Sequence, residues 1–101
     1  MKIAIASNGE DETSEVSEVT GRAHFFLLFE DNKLVKTIKN PFRMGGGGAG
    51  FSVAEMLSEE KVQIIVSGKI GPNVKSVLDS KGMKHIELHG VSVKDALEKA
   101  K

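Results

Sequence analysis

The residues best suited to chemistry in this chain are glycines. Gly45, Gly46, Gly47, Gly48 and Gly50 form one run, interrupted only by Ala49. Glycine adopts positive φ readily and lets a ligand come close to the backbone. The run leads straight into a segment of helical periodicity. It would therefore offer free N–H groups at the positive end of a helix dipole, a combination that favours an anion. A second place of this kind is Ser67-Gly68-Lys69-Ile70-Gly71-Pro72-Asn73, which follows an apolar strand pattern and opens another helix. Ligands of open α/β sheets usually sit at that end of a strand. Here the amides of Gly68 to Asn73 would act as donors beside the charge of Lys69. Arg22, directly after Gly21, adds a planar guanidinium suited to an oxyanion.

Other chemistries lack their parts. Gly45, Gly47 and Gly50 spell G-x-G-x-x-G, but the preceding Asn40-Pro41-Phe42-Arg43-Met44 is no strand end, and no acid closes Val62 to Val66 to hold a ribose. Phe51 stands after Gly50 where a P-loop needs lysine. The absence of cysteine removes disulfides, thiolate nucleophiles and thiolate metal ligands together. The first strand carries no acid for a metal-dependent nuclease, and no serine stands in a G-x-S-x-G elbow. His85 and His89 would share a face with Glu87 only if their strand ran on towards Gly90, so no metal site is expected there. His24 lies in a strand pattern and should be half-buried.

Charge narrows the partners further. Residues 10–18 hold five acids and no base, leaving nine acids against fourteen bases elsewhere, a net +5 on a chain that is neutral as a whole. The bases are spread from Lys2 to Lys101 and form no concentrated stripe, so a small anion suits this chain better than nucleic acid. The acidic stretch reads as a solvated surface loop. The chain opens directly on a strand pattern with no charged-then-apolar leader, and no apolar run is long enough to span a membrane. A cytoplasmic location is the expectation.

The elements that must position these residues are legible from periodicity. Lys2 to Ser7 is apolar on both parities, as in a strand covered on both faces. Ala23 to Glu30 and Leu34 to Lys39 form a hairpin about Asp31-Asn32, the second strand more polar and placed at the sheet edge. Helices follow at Phe51 to Glu60, from Pro72, and at Ser92 to Ala100, alternating with strands at Val62 to Val66 and Met83 to Leu88. Pro72 fits the first position of its helix, and Ser92 with Asp95 has the spacing of a capping pair. The order is β-β-β-α-β-α-β-α in a single domain over 1–101, which predicts a mixed five-stranded α/β sheet with helices on both faces. The pattern fits a ribonuclease-H-like sheet whose second strand runs against the rest.

Taken in order, Met1-Lys2-Ile3-Ala4-Ile5-Ala6-Ser7-Asn8-Gly9, Gly21-Arg22-Ala23 with Phe26, Asn40-Pro41, the glycine run, Gly68-Lys69-Ile70-Gly71-Pro72-Asn73 and Gly90-Val91-Ser92-Val93-Lys94-Asp95-Ala96-Leu97 resemble the dinitrogenase iron–molybdenum cofactor biosynthesis family. The resemblance implies a ribonuclease-H-like domain without nuclease activity that binds or carries an iron–sulfur or molybdenum-containing cluster or its precursor. By position it implies a pocket of Asn8, Gly9, Gly21, Arg22, Gly45 to Gly48, Gly50, Gly68, Lys69, Gly71 and Asn73. Many relatives carry His-Phe just before the Gly-Arg pair, where this chain has Val19 and Thr20. With no cysteine, a polyanionic cluster would be held by amide donors and by Arg22 and Lys69. The expectation is a non-catalytic carrier, with a cofactor-assembly protein as a partner. Two alternatives are a small-anion or phosphometabolite enzyme using the same loops with an acid from 10–18 as base, and a protein-interaction module in which the edge strand Leu34 to Lys39 and the acidic loop meet a partner.

Overall fold

Alternation in the first strand decides the architecture. Ile3 and Ile5 point to one side and Ala4 and Ala6 to the other, and all four are buried. Both faces of this strand must therefore be covered. In the computed structural model, which describes residues 1–44 and 49–100, that strand is β1 (Lys2–Ser7). It is followed by a 3-10 turn (Thr20–Arg22), β2 (Phe25–Glu30), β3 (Lys33–Lys39), α1 (Ala49–Glu59), β4 (Ile64–Ser67), α2 (Pro72–Ser80), β5 (Lys84–Glu87) and α3 (Val93–Ala100).

The strands form one five-stranded mixed sheet in the order β3-β2-β1-β4-β5. β2 is antiparallel to β1 and β3, while β1, β4 and β5 run parallel. Ala4, Ala6, Phe26, Leu28 and Ile65 cluster with Val53, Ala54 and Leu57 of α1 and Leu78 of α2. Ile3, Ile5, Leu27, Phe29, Ile64 and Val66 cluster with Val93, Ala96, Leu97 and Ala100 of α3. Each such Leu, Ile or Phe contributes about 1.5–3 kcal/mol by leaving water. Among the described residues no helix is long and apolar enough to cross a membrane.

The directions matter for function. Because only β2 runs against the others, β1, β3, β4 and β5 all end at the edge of the sheet where β2 begins. Among the described residues, Asn8-Gly9, Gly21-Arg22 and Gly68 to Asn73 leave or enter there.

The hairpin turns on two residues, Asp31 (φ 52°) and Asn32 (φ 68°), both left-handed as a tight hairpin requires. β3 is the sheet edge, as its polarity suggested. A bulge falls opposite Leu28 and Phe29, so Val35 has no partner on β2.

Element ends differ from the sequence expectation for local reasons. The second strand starts at Phe25 because the 3-10 turn occupies the preceding residues, with Ala23 N–H donating to Thr20 O at 3.4 Å. Val62 and Met83 are drawn back to close the preceding helices: their N–H groups donate to Leu57 O at 3.2 Å and Leu78 O at 2.9 Å. α1 begins at Ala49, two residues earlier than its apolar stripe suggested. Ser92 caps α3 from outside, its Oγ accepting from Asp95 N–H at 3.2 Å. His24, expected half-buried, is exposed.

The acidic loop is only partly a surface loop. Its five acids are exposed, but Val16 and Ser17 are buried, and Val16 joins the α3-side cluster. Within the loop Asp11 Oδ1 accepts from Thr13 N–H at 2.9 Å and from Thr13 Oγ1 at 2.5 Å. Those bonds hold the Asp11 carboxyl below the usual aspartate range.

Candidate functional site

The end of β4 is where the most chain converges. Ser17 N–H donates to Ala6 O at 2.8 Å, Gly68 N–H to Ser17 O at 2.8 Å and Lys69 N–H to Glu18 O at 2.6 Å. Thr20 N–H then donates to Lys69 O at 3.1 Å. Residues 17–20 thus lie across the ends of β1 and β4 like a short added strand. Gly68 permits this contact: a Cβ there would lie 2.1 Å from Glu18 O and 2.5 Å from its carbonyl carbon. Both are backbone atoms that cannot rotate away.

This corrects one part of the sequence expectation. The amides of Gly68 and Lys69, expected as anion donors, are committed to the chain itself. Lys69 keeps an exposed side chain. The donors that remain on this loop belong to the first turn of α2, since a helix leaves its first N–H groups without intrahelical partners. Gly71 is the N-cap of α2 and makes no side-chain capping bond, and Pro72 follows it. Asn73 lies within that first turn.

Gly21 and Arg22 are brought to the same end by the 3-10 turn, which packs against α1. Asn40 fixes this turn from the other side. It is buried, its Nδ2 donates to Gly21 O at 3.2 Å and Ala23 O at 2.9 Å, and its Oδ1 accepts from Phe42 N–H at 2.9 Å. Arg22 is exposed, and its Nη1 donates to Arg43 O at 3.3 Å. That bond lays the guanidinium along residues 41–44, directly before the glycine run. Gly45, Gly46, Gly47 and Gly48 lie outside the described residues. Gly50, in the first turn of α1, faces α2 closely, and a Cβ there would lie 2.8 Å from Val74 Cγ2.

Gly21, Arg22, Gly50, Lys69, Gly71 and Asn73 therefore belong to one assembly of loops, tied together by residues 17–20, Asn40 and the α1–α2 contact. Asn8 and Gly9 are tied elsewhere. Asn8 N–H donates to Glu15 O at 2.9 Å, and Gly9 accepts from and donates to Ser7 Oγ at 2.7 and 3.1 Å. The first bond attaches Asn8 to the acidic loop, which in turn meets α3, and the other two fold Gly9 back onto the end of β1.

Several residues that hold the assembly were not foreseen in that role. Ser17, Thr20, Asn40 and Ser67 are buried polar residues, and among the described residues no buried side-chain polar atom lacks a partner. Asn40 before Pro41 could have been suspected, since a buried strand end needs its polar groups satisfied. The bond between Thr20 Oγ1 and Ser67 Oγ joins positions 47 residues apart and leaves no local signal. His85 Nε2 lies 2.8 Å from Ser67 Oγ. Burial pushes the His85 imidazole below its ordinary pKa, helped by the nearby Lys75 and opposed by Glu87 and a backbone bond to Gly68. No group of three or more His, Asp or Glu side chains placed to hold a metal ion occurs among the described residues.

Known structures share this fold. The apo form of the orange protein from Desulfovibrio gigas superposes with a TM-score of 0.91 at 24% identity, over 98% of this chain and 85% of that one. A putative NifB protein from Thermotoga, assigned to the DUF35 family, superposes with a TM-score of 0.83 at 25% identity, again over 98% and 85%. No curated protein matches the sequence. The family model described as "Dinitrogenase iron-molybdenum cofactor" matches residues 1–101, the whole chain. The chain is thus a member of the dinitrogenase iron–molybdenum cofactor family.

Proposed function

We propose that this protein is a non-catalytic carrier that holds an anionic metal–sulfur cofactor, or a precursor of one, at the loop end of its sheet. Its fold is read as a ribonuclease-H-like sheet put to binding, with a cofactor-assembly protein as partner in the cytoplasm. Membership of the family supports the class of cargo. The observation that carries the reading is that the turn bearing Arg22 is fastened, through Thr20 N–H and Lys69 O at 3.1 Å, to the loop that leads into α2, whose N-terminus has no side-chain cap.

The donor set fits cargo held from outside its metal ions. With no cysteine in the chain, the described loops offer N–H groups and cations in place of thiolates. Such groups hydrogen-bond the outer sulfides of a cluster and offset its negative charge. The pocket would comprise Gly21, Arg22, Gly50, Lys69, Gly71 and Asn73 together with Gly45 to Gly48. Asn8 and Gly9 would border it only across residues 15–20. Glu12 and Glu15 are tied to the start of α3, which weighs against their serving as a catalytic base for a phosphorylated substrate.

The test uses tetrathiomolybdate as cargo. The protein is incubated with it anaerobically, passed through gel filtration, and its visible spectrum recorded. Stoichiometric colour should elute with the protein. Arg22→Ala should lower the affinity about tenfold, the loss of one charge-assisted hydrogen bond of roughly 1.5 kcal/mol, with an unchanged melting temperature. Colourless protein would overturn the reading, and unchanged affinity in the variant would remove Arg22 from the site.

A further inference from the structure

We propose that His85 is a positioning residue for this loop assembly, acting through a relay of two buried hydroxyls, Ser67 and Thr20, that ends on the carbonyl of Lys69. Its consequence for cargo rests on the carrier reading, whereas the relay itself stands on geometry alone.

The relay crosses three elements. His85 on β5 lies 2.8 Å from Ser67 Oγ on β4 through its Nε2. Ser67 Oγ shares a hydrogen bond with Thr20 Oγ1, on the 3-10 turn. Thr20 Oγ1 also lies within donating distance of Lys69 O, at 3.2 Å, and Ser67 Oγ of Gly68 O, at 3.3 Å. Ser67 and Thr20 are almost wholly buried, so water does not compete for these bonds.

Each hydroxyl has one proton, and this forces a choice. When Nε2 is unprotonated it accepts from Ser67, Ser67 accepts from Thr20, and Lys69 O is left with the backbone N–H of Thr20. When the imidazole is protonated, Nε2–H donates to Ser67. Ser67 then donates towards Thr20 or Gly68 O, and Thr20 is released to donate to Lys69 O. Both states satisfy every member, so the relay reverses without unfolding. Its far end is the link that fastens Gly21-Arg22 to the β4–α2 loop. For a neutral ring that carries its proton on Nδ1, protonation at Nε2 therefore tightens that link and places a positive charge beside the loop.

Among the described residues the charged groups that act on the ring are Glu87 on its own strand and Lys75 on α2, of opposite sign. The covering strand β4 contributes Ile65 and Ser67, neither of them ionisable. Anionic cargo at the α2 N-terminus would favour the protonated ring, so its affinity should rise on acidification through the His85 midpoint.

The experiment is a pH titration by NMR of the cargo-free protein, following the His85 ring and the backbone amides of Thr20, Gly21 and Lys69. The amides should shift with the same midpoint as the ring, and that midpoint should lie below the ordinary histidine value. In Thr20→Val the ring should still titrate and the Gly21 and Lys69 shifts should be lost. If that variant does not fold, Ser67→Ala should break the relay in the same way. Amides that stay still while the ring titrates, or that shift equally in a folded relay variant, overturn the proposal. A relay that titrates as described in a protein that retains no thiomolybdate would leave the relay standing and remove the carrier reading.

Discussion

Two helices in this protein begin at the same end of the sheet and treat their first turns in opposite ways. The first turn of α3 is closed by the chain itself. Val93 N–H donates to Ser14 O at 2.8 Å, Lys94 N–H to Glu12 O at 3.0 Å, and Asp95 N–H to Ser92 Oγ at 3.2 Å. Three donors without intrahelical partners thus have partners supplied by the acidic loop and the cap. The first turn of α2 begins at Gly71 with no side-chain cap. Pro72 removes one donor, and the rest of the turn is left to whatever binds there. The difference is that the first-turn donors of α3 are taken up by a distant part of the chain, whereas those of α2 are left open to the cargo proposed for it. The acidic loop fills one and leaves the other, because residues 17–20 fasten to the backbone of Gly68 and Lys69 and stop short of α2.

The strongest way to break this division is to lift residues 17–20 off β4. Gly68→Ala places a methyl carbon 2.1 Å from Glu18 O, a contact only backbone movement can relieve. The expected cost is about 3 kcal/mol, at the upper end for overpacking. It is measured as a fall in the urea midpoint with an unchanged slope. Gly9 gives the contrast. A Cβ there would meet Ser14 Oγ at 2.3 Å, the end of a side chain that can turn away, so the sheet-side contact is the costly one. A Gly68→Ala protein of native stability would mean that residues 17–20 do not lie against β4 as described.

A smaller effect should come from opening the closed helix. Ser92→Ala removes the bond to Asp95 N–H and leaves the two loop carbonyls in place. The loss should be about 1 kcal/mol, as for other N-cap serines. In a domain of this size that lowers the melting temperature by roughly 4–8 °C. Thiomolybdate retention should be unaffected, because α3 starts on the far side of residues 15–20. A variant that loses cargo while remaining folded would merge the two regions that the hydrogen bonds keep apart.

How much of this was legible beforehand follows from the range of each interaction. The five strands and three helices were, because Ile3, Ile5, Ala4 and Ala6 alternate and Asp31-Asn32 can form a two-residue turn without help from elsewhere. The capping role of Ser92 was legible for the same reason. Val16 was not, since a single valine among acids has no period, and only the site it fills between β1 and α3 reveals it. Gly68 was read as a place where a ligand approaches the backbone. Its sequence signature is the same when another stretch of backbone approaches instead, which is what happens. Thr20, Ser67 and His85 come from separate elements, and their meeting depends on the parallel register that sets Ser67 beside Glu87 and Ile65 beside His85. The loop end of the sheet was thus foreseeable as a location, while the bonds that shape it were not.

The smallest stability change is also the most direct test of the comparison. Gly71 has φ −73°, a conformation any residue adopts, and nothing lies within 4 Å of where its Cβ would be. Gly71→Asp therefore fits without strain and puts at the start of α2 the kind of cap that α3 already has. A carboxylate there accepts from the first-turn N–H groups and complements the helix dipole. Together with the reduced freedom of the unfolded chain, this should stabilise the protein by about 0.5 kcal/mol. Binding should move the other way. The new carboxylate would occupy the donors and repel an anion, so tetrathiomolybdate affinity should fall about tenfold or more in a protein that melts slightly higher. Gly71→Ala separates the two contributions, since it keeps the gain from the unfolded chain but leaves the donors uncovered. It should bind as the unmodified protein does. If Gly71→Asp binds equally well, the first turn of α2 is not where cargo sits, and Arg22 and Lys69 must hold it from the other side of the loop.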